Sequence, residues 1–247
     1  MNFAPNRPTA ILSALIEEQR GLVSQLDNAV CVQRAGRDFW RGNLAGRPVV
    51  LALSRIGKVA AATTTTALIE AFDVARVVFT GVAGGVGPGV AVGDVVLGSH
   101  FLQHDMDASP LFPRFELPLY GRTLFAADQD LSDLLIKACE VAVLGEAPQK
   151  ARLHRGLIAS GDRFVSSARE ATEMLEKLHA CGHAPLAVEM ECAAVAQVCL
   201  DYAIPFAAAR TISDRADDQA HVDFQQFVTE VASNYSRNIV GQLMKLL

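Results

Sequence analysis

The chain has 247 residues, of which 51% are apolar and 20% charged, and its net charge is −5. That balance suits one large buried core, and with no linker or shift in composition to divide it, residues 1–247 read as a single domain. The lack of a long basic run excludes the electrostatic footprint of nucleic-acid binding, and no apolar run approaches the roughly 20 residues that span a bilayer.

The first nine residues lack a signal-peptide layout, and the first apolar stretch already contains Glu17 and Glu18. Thr9–Leu12 reads as a strand, followed by a helix from about Leu15 to Leu26. Val49–Leu53 is a second strand, ahead of a helix from about Gly57 to Ala71. Arg76–Thr80 leads into a glycine-rich stretch, and Val95–Gly98, Gly156–Ala159, Leu186–Val188 and Phe206–Ala209 are further strand candidates. Cys192–Val198 reads as an amphipathic helix, and Phe224–Leu247 carries a helical apolar spacing that would close the fold. Residues 108–122, with three prolines and several aromatics, read as a long exposed loop that covers a pocket or lies in a subunit contact. Strands alternating with helices predict an α/β fold whose parallel or mixed sheet is covered on both faces. Five cysteines without paired C-x-x-C spacing read as reduced cytosolic thiols, and Cys192 and Cys199, seven apart on one helix face, as core filling.

Val188-Glu189-Met190-Glu191 places two carboxylates where a strand's carboxyl end meets a helix start, the position at which open α/β sheets bind ligands. Apolar elements need no acids there, so Glu189 and Glu191 point to a substrate with hydroxyls, such as a ribose. Gly81–Gly87 follows a strand; it suits backbone contact with a sugar or anion, or a plain turn, and fits neither phosphate-binding fingerprint. Ser160–Val165 offers Phe164 either as a stacking surface for a heterocycle or as core, and Asp162 as a cap for a helix starting near Ala168. Arg210–Asp214 follows a strand of small residues; Asp214 is either a proton donor or an N-cap or salt-bridge partner. The helix dipole accounts for one of Glu17 and Glu18, leaving the other to turn back and position a water. His104-Asp105-Met106-Asp107 holds one histidine and has no second ligand cluster, so no metal site is expected.

Together these segments resemble the bacterial 5'-methylthioadenosine/S-adenosylhomocysteine nucleosidases of the purine nucleoside phosphorylase superfamily, over about Thr9 to Leu246. The landmarks are Ile56–Ala60, Thr80–Gly85, His104–Asp107, Ser160–Val165, Val188–Glu191 and Arg210–Asp214, in that order. The resemblance implies a three-layer α/β/α domain around a mixed, twisted sheet, acting as a cytoplasmic homodimer without cofactor on a small-molecule nucleoside. It implies that Glu17, counted from Ala14, activates water and Asp214, with Ser213, protonates the purine. Glu191 would hold the ribose hydroxyls and Met190 pack on the sugar. Phe164 would stack on adenine while the Val165 backbone reads its edge, and Arg210 would help to hold the water and the acidic cluster. Val82, Ala83, Gly84 and Glu189 complete the expected substrate-binding set. Three positions depart from the family: Val82 where some members carry serine, Arg55 where many have glycine, and Arg163 at a position often small.

The implied reaction is N-glycosidic bond cleavage, with acid and base on opposite sides of the sugar as in an inverting glycosidase. Superfamily phosphorylases present arginines to phosphate, one of them in an N-terminal Gly-Asp-Pro-x-Arg segment. Here Ala14-Leu15-Ile16-Glu17 stands instead, and a carboxylate there repels phosphate and suits water. Glu17→Gln is accordingly expected to abolish turnover.

Overall fold

In the computed structural model, which describes residues 7–144, 151–217, 219–227 and 233–247, the apolar runs become the middle of a mixed sheet. β1 (Thr9–Ser13) lies parallel between β4 (Arg47–Leu53) and β5 (Arg76–Gly85). Their side chains alternate between two cores, as the two-residue period of a strand requires. Leu12, Val50 and Phe79 enter one core, whereas Ile11, Leu51 and Val78 enter the other. The first is covered by α2 (Lys58–Phe72) and α5 (Cys192–Asp201), the second by α1 (Ile16–Val23), α3 (Gln129–Leu144) and α7 (Ser233–Leu246). Burial on both faces explains why these strands read as continuous apolar runs. Cys192 and Cys199 are buried in the first core, as their spacing predicted.

At one side the sheet curls onto itself. β10 (Phe206–Asp214) pairs with β5 in parallel and with β6 (Val95–Gln103) in antiparallel. The two-residue β7 (Phe125–Ala126) pairs with β6, β8 (Leu153–Ser160) and β9 (Pro185–Glu189) continue the sheet from β6, and β9 returns to Gly84 and Gly85 of β5. At the other side two strands were not anticipated, β2 (Asp27–Arg34) and β3 (Arg37–Leu44). They form a hairpin whose two-residue turn, Ala35-Gly36, has positive φ at both positions, the conformation that matches strand twist.

Two boundaries differ from the sequence expectation in a way that matters for chemistry. The first five residues of the glycine-rich stretch, Gly81–Gly85, do not follow β5 but end it, and Arg210–Asp214 likewise ends β10. Each supports the other, with Arg210 opposite Gly81 and Thr211 opposite Val82. The 108–122 loop is also not wholly exposed: Phe115 and Leu117 are buried, while Leu111 and Leu119 stand out at 84% and 95% exposure. No helix among the described residues is long and apolar enough to cross a membrane.

Candidate active site

The carboxyl ends of β1, β5, β9 and β10 surround a cavity of about 410 Å³. The expected residues Val82, Ala83, Gly84, Phe164, Val165, Glu189, Met190, Glu191, Ser213 and Asp214 all line it. Glu17 does not. It projects to solvent, and Glu18 takes its place on the wall with its side chain buried. The reason lies in the first turn of α1, where the third helical residue points back at the chain entering the helix. Glu18 Oε2 accepts the N–H groups of Ala14 and Leu15 at 2.8 and 3.0 Å, and Oε1 accepts that of Val82 at 3.1 Å. This is half of a capping box; Leu15 has no acceptor to supply the other half. Burial pushes the Glu18 carboxyl above its ordinary range, against the pull of Arg210 and the three N–H groups.

Glu18 comes this close to β5 because residue 81 has no side chain. A Cβ there would lie 2.8 Å from Glu18 Oε1 and 2.5 Å from Arg210 Nη1. Arg210 itself does not reach the cavity surface. It is fully buried behind it, donating to Glu189 Oε2 at 2.7 Å, with Glu191 Oε2 at 3.6 Å and the Phe79 ring centroid 4.0 Å from its guanidinium carbon.

The two acids flanking Met190 have separated tasks. Glu189 is saturated: besides Arg210 it accepts the Ser160 hydroxyl and the N–H groups of Glu191 and Cys192 that open α5. Burial pushes it up, but Arg210, Ser160 and Cys192 outweigh that and hold it below the usual carboxylate range. Although Glu189 borders the cavity, its hydrogen bonds make it the counter-ion of Arg210 and the anchor of α5 rather than a free hydroxyl ligand. Glu191 accepts the Gly57 N–H at 2.9 Å with Oε1. Burial and the neighbouring Glu189 charge push it up to about 8, against Arg210 and that N–H.

At the other end, Asp214 is buried at 2% exposure. Its Oδ1 accepts the Ala216 N–H at 2.8 Å and its Oδ2 the Ser213 hydroxyl at 2.8 Å. Asp214 Oδ1 sits over Gly84, where a Cβ would come within 2.9 Å. Glu18 over Gly81 and Asp214 over Gly84 are three residues apart along β5, roughly 10 Å of extended chain.

Beyond this polar strip the wall is apolar. Phe164, 41% exposed, packs edge-on against Phe224 of α6 (Ala220–Phe227) with ring centroids 5.5 Å apart, and Leu15 and Ile56 also line the cavity. Sequence reasoning missed His221, Phe224 and Gln225, because a helical apolar spacing says nothing about which cavity a helix roofs. Arg163 lines the rim but turns its guanidinium onto Glu170. Asp162 does not cap the helix near it. Ser167 N-caps α4 (Ala168–Ala180), accepting from Glu170, whereas Asp162 reaches Lys58 at the start of α2.

Comparison with known proteins agrees with this architecture. The family model described as the phosphorylase superfamily matches residues 8–245. A 5'-methylthioadenosine/S-adenosylhomocysteine nucleosidase of Bacillus thuringiensis (strain Al Hakam) is 36% identical over 242 residues, 96% of this chain and 98% of that protein. The crystal structure of the Neisseria meningitidis nucleosidase in complex with methylthio-immucillin-A superposes with a TM-score of 0.88 at 35% identity, covering 98% of this chain and all of that one (100%). A futalosine hydrolase of Helicobacter pylori strain 26695 gives 0.86 at 29% identity, with 98% of each chain covered. With its whole described sheet and cavity inside that match, the chain belongs to the 5'-methylthioadenosine/S-adenosylhomocysteine nucleosidase family of the phosphorylase superfamily.

Proposed function

We propose that the protein hydrolyses the N-glycosidic bond of 5'-methylthioadenosine and S-adenosylhomocysteine, releasing adenine and the 5'-thioribose. The observation that carries this reading is the pair of buried carboxylates, Glu18 beside Gly81 and Asp214 beside Gly84, that line one cavity. Inverting glycosidases likewise set an acid and a base apart, leaving room for a water.

Asp214 protonates the purine so that adenine leaves neutral, and the Ser213 hydroxyl orients that carboxyl. Phe164 and the Val165 backbone hold the base. Glu191 grips the ribose hydroxyls from the Gly57 side, with Met190 against the sugar. As C1' gains cationic character, Glu18 directs water to the face away from the base. Burial raises its proton affinity, which makes it the stronger base. Arg210 offers no site for phosphate because Glu189 occupies it, so water rather than phosphate is the acceptor. Gly84, beside Val82 and Ala83, lets the sugar approach the backbone, and Leu15, Ile56, Phe164 and Phe224 give the 5' substituent an apolar seat.

The test is incubation with 5'-methylthioadenosine with and without phosphate. Free methylthioribose and adenine, insensitive to phosphate, support the reading; a phosphate-dependent sugar 1-phosphate overturns it. The likeness to a futalosine hydrolase makes a futalosine-like nucleoside the second substrate to assay. The same reading makes the protein a homodimer in which the exposed Leu111 and Leu119 of the 108–122 loop meet the partner. A fully active monomer in light scattering contradicts that. Five unpaired cysteines suit the cytoplasm.

A further inference from the structure

Two segments bordering the cavity, at Ile56 and at Arg163–Val165, are joined through the residues after β6 by a closed ring of hydrogen bonds that none of the steps above uses. The backbone N–H of Lys58, at the start of α2, donates to Asp162 Oδ1 at 2.7 Å. Asp162, between β8 and α4, donates its own N–H to Asp105 Oδ2 at 2.9 Å. Asp105, two residues beyond β6, closes the ring by accepting from Lys58 Nζ with Oδ1, and that ammonium also donates to Gln103 Oε1 at 3.1 Å. The ion pair is partly shielded, with side-chain exposures of 15% for Lys58 and 32% for Asp105.

What the ring touches is informative. Gly57, adjacent to Lys58, has φ +98°, a conformation open to glycine, and this turns its N–H onto Glu191. Asp162 precedes Phe164 by two residues and Val165 by three. His104 seats the same loop sterically, its imidazole lying where a Cβ on Gly161 would come within 2.3 Å. We propose that Lys58, Asp105 and Asp162 are positioning residues forming a clasp, which fixes the Gly57 N–H on Glu191 and the 163–165 segment in one relation, so that ribose and base are gripped together. The clasp rests on the nucleosidase reading for what those groups hold.

The groups facing Glu191 are Glu18 from α1, Glu189 from β9, Arg210 from β10, the Gly57 N–H and the neighbouring Cys192 thiol of α5. Of these, the Gly57 N–H and Arg210 favour its ionised form. Slackening the clasp therefore does two things: it displaces the base-binding segment, and it makes Glu191 harder to ionise.

The experiment uses the full-length protein, with kcat and KM for 5'-methylthioadenosine measured across pH. Asp105→Ala is expected to lower kcat/KM by about 10²-fold, as a misplacement of about 1 Å does. It is also expected to move the rising acid limb of the profile to higher pH. Asp105→Asn, which keeps an oxygen for the Asp162 N–H, recovers part of both. An acid limb in the wild-type position overturns the proposal, whatever the loss in rate. If Asp105→Ala does not fold, Lys58→Met opens the ring at Nζ while keeping the backbone N–H, and the same shift decides. Wild-type protein that leaves 5'-methylthioadenosine intact sinks the nucleosidase reading alone. The clasp is then judged by whether Asp105→Ala changes the pH dependence of adenosine binding but not of adenine binding.

Discussion

Replacing Glu18 by glutamine separates catalysis from stability, because the structure sets a different size for each effect. The carboxylate receives three backbone N–H groups, two on Oε2 and one on Oε1. An amide has one acceptor oxygen, so its NH₂ must face at least one of those donors. A buried donor left unpaired costs about 1–3 kcal/mol, which for a domain of this size lowers Tm by about 2–4 °C per kcal/mol. Loss of the group that directs water costs more, about 10²- to 10⁴-fold in rate, or about 2.7–5.5 kcal/mol at 1.36 kcal/mol per decade. Glu18→Gln is thus expected to stay folded, to bind adenine at the Asp214 end as before, and to lose nearly all turnover. Initial rates of adenine release at neutral pH, a thermal melt and an adenine titration measure the three. Glu17→Gln is the internal control, since that side chain is exposed and outside the cavity; it should match wild type. Near-normal turnover in Glu18→Gln, or a collapse in Glu17→Gln, refutes the assignment of the water to Glu18.

Gly81→Ala places a methyl 2.5 Å from Arg210 Nη1 and 2.8 Å from Glu18 Oε1. Overpacking of this kind costs typically about 1–3 kcal/mol, so both Tm and kcat should fall, and unchanged kinetics would show that the close approach is unimportant. Phe164→Ala should raise KM by the worth of one base–aromatic stack, about 1–3 kcal/mol, while a partly exposed ring costs the melt little. An unaltered KM would remove Phe164 from the base site. Glu191, ordinarily near 4.5, is pushed up to about 8, so the folded protein holds its proton where the unfolded chain has lost it. That contribution is fully present below about pH 4.5 and is lost as pH rises through about 8, so wild-type Tm should fall from pH 6 to 9. Glu191→Gln should flatten that fall, and an equal slope in the two proteins would deny the shift.

What the sequence could and could not convey follows from what each element touches. β1, β4 and β5 were legible because both their faces are buried, leaving uninterrupted apolar runs. The β2–β3 hairpin was not, since Asp27–Arg34 is almost wholly exposed and its four apolar residues, Ala29 to Val32, lack the alternation that marks a strand with one buried face. Its Ala35-Gly36 turn lacks the asparagine or aspartate that usually marks such a corner. The glycine-rich tail of β5 and the polar tail of β10 read as segments beyond their strands because what keeps them extended is each other, a long-range pairing that no local pattern reports. The site residues at strand ends were found by their chemistry, acids and an aromatic where apolar packing needs none. Glu17 and Glu18 were confused because two adjacent acids share every compositional property and differ only in rotation, roughly 100° around the helix. Only the start of α1 at Ile16 decides which one turns inward.

β5 is the hub of the fold, bonded to β1, β9 and β10, yet it is glycine at 81, 84 and 85 where it passes the cavity. Most domains fill their centre with their own side chains. This one leaves about 410 Å³ at the meeting point of three strand pairings. A nucleoside lying there is a removable part of the interior as well as a substrate. A ligand at one hundred times its Kd adds about 2.7 kcal/mol to the folded state. That gain falls on the strands that hold the two halves of the sheet together. The protein should therefore be most vulnerable to heat and proteases between turnovers, when its cavity stands empty.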